Sequence, residues 1–253
     1  MSETSPSNLA SSRDPSATFT EGGRAVDAGR GWAWIADGFE LFKKQPGLWI
    51  GIVLVLFVIM VALSIIPILG AIATFLLMPV FAGGLMLGCR SLQRGGTLEM
   101  GHLFAGFKMQ TGNLVALGGL AVVGWIIVVL PVIAIVGTGA FFGAARGDAA
   151  GIGAIGGSFL LAVLVALALS ILVYMALWFA PALVTLRGVA PVAALKQSFK
   201  GCLSNIVPFL VYGLVVFVLS ILATIPLALG WLVLGPVLVA SVYVAYRDIY
   251  GDA

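Results

Sequence analysis

The chain has 253 residues, of which 61% are hydrophobic and 9% are charged, and its formal net charge is +3. Soluble domains carry about 25% charged residues, and a soluble fold of this length could not hide so much apolar surface from water. A lipid bilayer accepts such a surface, so the composition excludes an ordinary soluble domain. We expect no nucleic-acid partner, because no basic stretch with interleaved aromatic residues lies on a soluble domain.

The first segment, residues 1–28, is rich in Ser and Thr and contains Pro6 and Pro15. It cannot bury enough apolar surface to offset the entropy of ordering, so we predict a disordered cytoplasmic tail. The tail lacks the apolar core of a cleaved signal peptide, and the first membrane helix would therefore act as the insertion signal. A six-helix transmembrane domain is predicted over residues 29–250.

The next segment, residues 31–44, is predicted to be an amphipathic helix that lies on the membrane surface. Trp32, Ile35, Phe39 and Phe42 recur on one side of a helix, which is the spacing of an apolar helix face. Two tryptophans and few charges are typical of an interfacial helix. We expect the interfacial anchors of this helix to be Trp32, Trp34, Phe39 and Phe42.

Four long stretches after this helix contain no Asp, Glu, Lys or Arg, namely Gln45–Cys89, Met109–Ala145, Ala149–Leu186 and Gly201–Tyr246. Runs of about 20 apolar residues indicate transmembrane helices. Turns divide the first and last stretches, so six spans are predicted, near 47–66, from the turn at 67–70 to about 90, and near 113–138, 158–186, 206–227 and 231–246. The sequence therefore predicts an all-α integral membrane bundle.

The positions of the basic residues predict the orientation of the bundle. All of the 13 Lys and Arg residues except Arg146 lie in the N-terminal region, the second and fourth connections or the C-terminal end. Cytoplasmic connections are enriched in Lys and Arg. We therefore expect a multi-pass protein of the bacterial inner membrane with both termini in the cytoplasm.

One unit, an amphipathic segment followed by a helical hairpin, occurs three times in the chain. The amphipathic segments are predicted at 31–44, 97–109 and 191–203, and Phe-Lys pairs end or nearly end each one, at Phe42-Lys43, Phe107-Lys108 and Phe199-Lys200. Phe104, Phe107 and Phe199 are further expected anchors at the membrane interface. Such units would be parallel repeats around an axis along the membrane normal. The alternative is that Phe, Lys and Pro recur near span ends in any polytopic chain.

The ends of the hairpins repeat as well. Arg90 follows Pro79-Val80 and Arg247 follows Pro236-Val237 at the same spacing, whereas Arg187 follows Pro181-Ala182 at a shorter one. The middle unit therefore departs from the pattern of the other two.

Six segments of the chain resemble a family of uncharacterised bacterial inner-membrane proteins, chiefly proteobacterial: GWAWIADGFELFKKQPGLWIG, FAGGLMLGCRSLQRG, GHLFAGFKMQTGN, FAPALV, ALKQSF and GPVLVASVYVAYRDIYG. They lie between Gly31 and Gly251. More loosely, the layout is similar to the membrane domain of some glycerophosphodiester phosphodiesterases, although the hydrolase domain is absent here. The resemblance implies a six-helix integral membrane protein and brings no activity or catalytic residues.

Enzyme signatures are absent from the sequence, which contains no H-E-x-x-H, P-loop or dinucleotide-binding motif. His102 lies outside the apolar runs, and we expect it at the headgroup boundary beside Glu99. Cys89 and Cys202 are expected to be small packing residues. We therefore expect no catalytic residue, no cofactor and no metal site.

Small residues indicate close helix contacts within the membrane. Two candidate stripes occur, one in the second span and one in the fourth: Gly84 and Gly88, and Ala162, Ala166 and Ser170. Small side chains let membrane helices approach closely. We expect packing within one chain, with self-association as the alternative.

A glycine-rich stretch follows the third span, from Gly139 to Gly157. Because glycine lowers helix stability at every position, we predict a flexible connection here. The alternative is a close helix contact, since Gly139, Gly143, Gly147 and Gly151 are spaced four residues apart.

Nine basic residues are predicted to gather at one depth on the cytoplasmic side, and we call them the basic collar: Lys43, Lys44, Arg90, Arg94, Lys108, Arg187, Lys196, Lys200 and Arg247. A basic residue near an anionic leaflet contributes about 1 kcal/mol of attraction. The collar and the amphipathic segments would together bind anionic lipid headgroups. Determination of membrane topology alone is the other explanation for these charges.

The sequence favours a non-enzymatic inner-membrane protein with a structural, lipid-interacting or partner-docking role. Its expected partners are membrane lipids and either a second copy of the chain or another membrane protein. The alternative is a passive or lipid-type transporter or channel, in which three units surround a conduit. A proton-coupled carrier is disfavoured, because such proteins usually need an ionisable group inside the membrane.

Overall fold

The computed structural model describes residues 21–252, so the predicted tail over residues 1–20 lies outside the described residues. This part of the chain forms nine α-helices and one 3₁₀ helix: α1 (Arg30–Lys44), α2 (Pro46–Ser64), α3 (Leu69–Gln93), the 3₁₀ helix (Met100–Phe107), α4 (Thr111–Arg146), α5 (Ala149–Leu177), α6 (Ala180–Arg187), α7 (Pro191–Leu203), α8 (Ile206–Thr224) and α9 (Trp231–Tyr250). Six helical spans are long and apolar enough to cross a membrane, with α5 and α6 together forming one of them. The predicted all-α bundle of six membrane helices is confirmed.

Three units of an amphipathic segment and a helical hairpin follow one another, as predicted. The segments are α1, the 3₁₀ helix and α7, and the hairpins are α2–α3, α4–α5 and α8–α9. The first and third hairpins are open, because their two helices make few contacts with each other, whereas α4 and α5 pack along their length.

Each amphipathic segment packs mainly on the second membrane helix of a different unit. The segment α1 packs on α9, the 3₁₀ helix on α3, and α7 on α5 and α6. A Cβ atom at Gly38 would lie 2.9 Å from the carbonyl oxygen of Val237, and one at Gly106 would lie 2.1 Å from that of Val80. Val80 and Val237 occupy equivalent places in the repeated Pro-Val pairs, so two units make the same backbone contact. The cyclic order supports parallel repeats around a common axis.

In the middle unit, the second membrane helix contacts α7 through a serine side chain and not through a glycine. That helix breaks at Trp178 and Phe179, and Pro181 lies in the first turn of the new helix α6, where its missing N–H leaves no helical hydrogen bond unmade. The buried Ser198 hydroxyl of α7 donates to the Met175 carbonyl oxygen at 2.8 Å and accepts from the Phe179 N–H at 3.0 Å. The predicted span over 158–186 is therefore two helices. The Ser198 hydroxyl bridges the N–H and carbonyl groups that would bond to each other in an unbroken helix.

The glycine-rich stretch from 139 to 157 is helical on both sides of a two-residue turn, so the predicted flexible connection is wrong. A Cβ atom at Gly143 would lie 2.7 Å from the Gly151 carbonyl oxygen. The turn begins at Gly147, whose φ of 64° favours glycine, and Asp148 caps α5 by accepting from the Gly151 N–H at 2.8 Å. Close packing of α4 on α5 outweighs the low helix propensity of glycine.

The two stripes of small residues also lie in contacts within the chain. A Cβ atom at Gly84 would lie 2.3 Å from the His102 carbonyl oxygen, and one at Gly88 would lie 2.5 Å from the Leu98 side chain. On α5, Ala162 is buried, and Ala166 and Ser170 are half-buried. The GxxxG pair of α3 therefore forms the surface on which the 3₁₀ helix and the residues just before it pack.

The core lies at one end of the bundle, where α3, α6 and α9 end together. Most residues of α6 and of the second halves of α3 and α9 are buried. The helices α2, α4, α5 and α8 instead expose large apolar side chains, such as Phe57 at 63% and Leu214 at 66%. Apolar area in water costs about 25 cal/mol per Å², so these faces suit contact with lipid.

The segment before α1 is bonded to the rest of the fold, which corrects the predicted tail boundary at residue 28. The Arg24 N–H donates to the Ile249 carbonyl oxygen at 2.9 Å. The Asn205 side chain accepts from the Val26 N–H at 2.8 Å and donates to the Arg24 carbonyl oxygen at 2.9 Å. Composition could not predict this, because the partners lie near the other end of the chain.

Replacing Gly106 with alanine should destabilise the contact between the 3₁₀ helix and α3. The new methyl group would lie 2.1 Å from the Val80 carbonyl oxygen, and overpacking costs about 1–3 kcal/mol. We expect a lower midpoint of thermal unfolding in detergent, measured by loss of the helical circular dichroism signal. The matched control is Gly101→Ala in the same 3₁₀ helix, where a Cβ atom has no neighbour within 4 Å. Equal midpoints for the two variants would contradict the contact.

Candidate functional site

The expected interfacial anchors of α1 divide into two groups. Trp32 is 58% exposed and Phe39 is 42% exposed, whereas Trp34 is fully buried and Phe42 is nearly so. Trp34 and Phe42 are therefore core residues, and their expected role as lipid anchors is wrong. The helix has apolar residues on more than one side, and its packing on α8 and α9 decides which side is buried.

Trp34 is hydrogen bonded to the Asp248 carboxylate of α9, a contact that the sequence did not predict. The Trp34 Nε1–H donates to Asp248 Oδ2 at 2.9 Å, and the Arg30 Nε–H donates to the same oxygen at 2.5 Å. The Arg24 Nε–H donates to the Asp248 main-chain oxygen at 2.6 Å. Hydrogen bonds to ionised groups are stronger than neutral ones. Asp248 thus joins α1 and the preceding segment to α9, and this role accounts for its half-buried position.

The anchors of the other two amphipathic segments remain partly accessible. Phe104 and Phe107 are 42% and 39% exposed, and their rings lie 6.1 and 5.5 Å from that of Phe81. Phe199 on α7 is half-buried. These positions leave an apolar face beside each segment.

His102 has a local structural role at the start of the 3₁₀ helix. Its Nδ1 accepts from the Glu99 N–H at 2.9 Å, while the Glu99 side chain accepts from the main chain of the helix in return. This reciprocal pair is a capping box. Within residues 21–252, no group of three or more His, Cys, Asp or Glu side chains could hold a metal ion.

Two lysines of the basic collar, at the end of α1, have partners in the fold. Lys43 Nζ lies 2.7 Å from Glu40 Oε1 and 5.4 Å from the centre of the Phe39 ring. Lys44 Nζ donates to the Leu92 carbonyl oxygen at 2.8 Å. Lys44 therefore stabilises the C-terminal end of α3, where its positive charge also interacts favourably with the negative end of the helix dipole.

Three other lysines of the collar are exposed on the amphipathic segments. Lys108 follows the 3₁₀ helix, and Lys196 and Lys200 lie on α7. Because each hairpin leaves and returns, residues before its first helix and after its second lie at the same end of the bundle. Arg146, at the α4–α5 turn, lies at the opposite end.

The arginines of the collar gather where α3, α6 and α9 end, and we call Arg90, Arg94, Arg187 and Arg247 the arginine cluster. The Arg247 Nε–H donates to the Asp252 carboxylate, and an Arg187 Nη2–H donates to the Asp252 main-chain oxygen. The hydrogen bond from Arg247 lowers the pKa of the Asp252 carboxyl, and the charges of Arg247, Arg94 and Arg187 act in the same direction.

Tyr246 of α9 contacts Arg187 of the cluster and lies near Arg90. The Arg187 Nε–H donates to the Tyr246 hydroxyl at 3.3 Å, and Arg90 is close enough to interact electrostatically with the same hydroxyl. Arg90, Arg187 and Arg247 are the three arginines that follow the repeated proline pairs. The fold therefore brings one equivalent arginine from each unit to the same place.

A polar cavity of about 410 Å³ lies beside this cluster, between α1 and the end of α9. Side chains of both charges line it, including Arg24, Arg30, Asp37, Glu40, Lys44, Arg247, Asp248 and Asp252. Asp248 pairs with Arg24 and Arg30, and Asp252 pairs with Arg247, so these charges neutralise one another within the protein. The cavity is therefore close to neutral, unlike the exposed lysines.

Two apolar cavities of about 580 and 510 Å³ lie among the membrane helices. Tyr174 and Trp178 line both of them. The buried Trp178 Nε1–H has no hydrogen-bond partner among residues 21–252, and an unpaired buried donor costs about 1–3 kcal/mol. An apolar molecule that carries an acceptor oxygen would fit these surroundings.

Comparison with known proteins places the chain among bacterial membrane proteins. No family model matches the chain, and no solved structure matches it. A probable inner membrane protein of Burkholderia thailandensis is 31% identical over 262 residues, which cover 89% of this chain and 93% of the relative. The relative's name does not mention glycerophosphodiester phosphodiesterases, so that looser resemblance stays a prediction. The match and the six membrane-spanning helices agree, and the chain belongs to the family of this probable inner membrane protein.

Proposed function

We propose that this protein is a non-enzymatic inner-membrane protein that binds anionic lipid headgroups at its basic end, with both termini in the cytoplasm. One observation carries the proposal: the amphipathic segments of the second and third units present exposed lysines at the end of the bundle where the arginine cluster lies. Anionic lipids of the cytoplasmic leaflet attract cations at this depth. The 31% identical relative, named as a probable inner membrane protein, supports the location.

The surroundings of Lys108 illustrate why lipid suits these segments. Met100, Phe104 and Phe107 are all exposed on the 3₁₀ helix that precedes it. An apolar face next to a cation is typical of a helix at the membrane interface, where the aliphatic part of lysine stays in the apolar layer and its charge reaches the headgroups.

The interior of the membrane region also favours lipid over a polar ligand. Within the described residues, the spans hold no Asp, Glu, Lys or Arg between their basic ends and Arg146. The cavities beside Trp178 are lined by aliphatic and aromatic side chains. A lipid ester carbonyl would provide the acceptor that Trp178 Nε1–H lacks, while its acyl chain fills apolar space.

Replacing Lys108, Lys196 and Lys200 together with glutamine should weaken binding of anionic lipid. Each cation contributes about 1 kcal/mol, so we expect a loss of affinity of about tenfold or more. The measurement is retention of phosphatidylglycerol by the purified full-length protein in native mass spectrometry, with phosphatidylcholine as the neutral reference.

The control for this triple variant is Arg146→Gln, which removes a cation from the opposite end of the bundle. It should leave phosphatidylglycerol retention unchanged. Equal retention by the wild type and the triple variant, with unchanged thermal stability, would refute binding by the exposed lysines.

Cysteine labelling tests the proposed orientation. We expect Lys108→Cys to react with a membrane-impermeant maleimide only after the inner membrane is opened, and Arg146→Cys to react without this step. The native thiols give little background, because Cys89 and Cys202 are buried and burial raises the pKa of Cys202 to about 12, leaving little reactive thiolate. Labelling of Lys108→Cys from outside would reverse the orientation.

The apolar cavities favour a second candidate function, passive movement of lipid between leaflets. Together their linings include residues of all six spans, and two of the three hairpins are open. In vesicles that contain a fluorescent phospholipid, a membrane-impermeant quencher reaches only the outer leaflet. Further quenching caused by the protein would favour lipid movement, whereas binding alone leaves the inner-leaflet signal intact.

A further inference from the structure

The larger of the two apolar cavities among the membrane helices, of about 580 Å³, is closed at one end. We call it the central pocket, because residues of five of the six spans line it. Phe81, Leu85 and Met86 of α3 line it and are buried, whereas Phe75 and Met78 of the same helix line it and are exposed. The pocket therefore ends within the bundle on one side and opens to lipid on the other.

The open end of the central pocket lies near the middle of the membrane. Arg90, at the basic end of α3, follows Met86 by four residues and Phe75 by 15. At 1.5 Å of rise per residue, the closed end is about 6 Å and the open end about 22 Å from Arg90 along the helix. The apolar layer of a bilayer is about 30 Å thick. With Arg90 at the boundary of this layer, the pocket opens just beyond the midplane and extends from there towards the basic end.

The helix on the other side of the opening agrees with this depth. Tyr174 of α5 lines the pocket and is exposed, and it precedes Arg187 by 13 residues, close to the 12 residues between Met78 and Arg90. Its ring packs on that of Trp125 of α4 in an edge-to-face contact, with ring centres 5.3 Å apart. Side chains of three helices therefore border the opening at one depth.

An apolar groove continues from the opening towards the opposite end of the bundle, where Arg146 lies. It has a volume of about 330 Å³, runs between α3 and α4, and shares Phe75 and Trp125 with the central pocket. Ile72 of α3 and Leu130 of α4 line the groove and are exposed. Groove and pocket thus follow one another along α3, from the membrane surface of the protein into its interior.

The chemistry of the two linings suits an apolar chain. Within residues 21–252, no Asp, Glu, Lys or Arg lines the groove or the central pocket. The Thr74 hydroxyl of the pocket donates to the Gly70 carbonyl oxygen at 2.8 Å, within its own helix. The volume of the pocket lies in the range of about 300–1,000 Å³ that is usual for ligand sites. Acyl chains are the apolar molecules that a bilayer supplies at this depth.

Tyr174 and Trp178 separate the central pocket from the second apolar cavity, since both residues line both spaces. That second cavity reaches Cys202 of α7, near the basic end. A lipid at the basic end would approach Trp178 through the second cavity, so it would not compete with a chain in the central pocket.

We propose that the groove and the central pocket bind one acyl chain of a phospholipid from the leaflet opposite the basic end. A chain from that leaflet points towards the midplane and enters the pocket without turning, whereas a chain from the basic leaflet would have to reverse its direction. Inside the pocket the chain contacts protein on several sides, and these dispersion contacts add up. The site goes beyond the proposed function, because it uses neither the exposed lysines nor the charge of a headgroup.

Photolabelling tests the site with a neutral probe, lysophosphatidylcholine that carries a diazirine at the end of its acyl chain. The probe is added to the full-length protein in sealed phosphatidylcholine vesicles, on the side where Arg146→Cys reacts with the impermeant maleimide, and is illuminated at once. We expect label on the α3 peptide that contains Phe81, Leu85 and Met86. Replacing the half-buried Ala82 of the lining with leucine should lower this labelling by about threefold or more, because the added atoms displace chain contacts.

The matched control is Ala116→Leu, which adds the same atoms at an exposed position of α4 outside the pocket lining and should label like the wild type. Leu56→Trp narrows the pocket from α2 and provides a second filled variant, should Ala82→Leu unfold at a lower temperature. Both filled variants should lose label.

Three outcomes would overturn the site. They are label confined to exposed groove residues such as Ile126 and Leu130, which is the pattern of surrounding lipid, equal labelling of wild type and both filled variants, and equal labelling from the two sides of the membrane. The triple lysine variant should label like the wild type. Loss of phosphatidylglycerol by that variant without loss of label, or loss of label in the filled variants without loss of phosphatidylglycerol, therefore tests the two proposals separately.

Discussion

Close contact between each amphipathic segment and a membrane helix of another unit holds the three hairpins in one ring. Gly38 and Gly106 allow main chains to approach so closely that a single methyl group would clash. Membrane helices gain no hydrophobic free energy by leaving lipid for one another, so their association depends on packing and hydrogen bonds. The contacts at these two glycines therefore position α3 and α9, and with them the buried end of the bundle.

The middle unit reaches the same arrangement by another route. The helix breaks just before Pro181, and the Ser198 hydroxyl bonds the Phe179 N–H and the Met175 carbonyl oxygen that the break leaves. The short helix α6 then ends at Arg187, which still contacts Tyr246 and Asp252 although it follows its proline after fewer residues. An unpaired polar group in an apolar environment is costly, which explains why a buried serine lies opposite this break.

The polar groups at the basic end have separate tasks. Asp248 and Lys44 bond α1 to its neighbours, and Lys108, Lys196 and Lys200 are exposed. The arginine cluster is bonded within the protein, through Asp252 and Tyr246. The proposed lipid ligand rests on the exposed lysines at this end and on the exposed apolar side chains of the membrane helices.

Much of the architecture was predictable from local patterns in the sequence. The chargeless stretches predicted the six spans, and the segment at 191–203 coincides with α7. The glycine-rich stretch was misjudged because helix propensity is a local quantity, whereas the contact of Gly143 with α5 is made between two helices. The buried face of α1 was misjudged for a similar reason, since α8 and α9 cover Trp34 and leave Trp32 exposed.

The sequence by itself determined that the chain is an integral membrane bundle, because apolar length and the absence of charge are read along one segment at a time. It also marked Arg90 and Arg247 as equivalent, at the same spacing after the repeated Pro-Val pairs, with Arg187 at a shorter spacing in the middle unit. Only the tertiary structure decided that these arginines meet at Asp252 and Tyr246, and that Asp248 holds α1. The contacts of Asp248 join residues from opposite ends of the chain, and those of Arg187 join α6 to α9 and the residues after it. Their formation depends on how the helices pack.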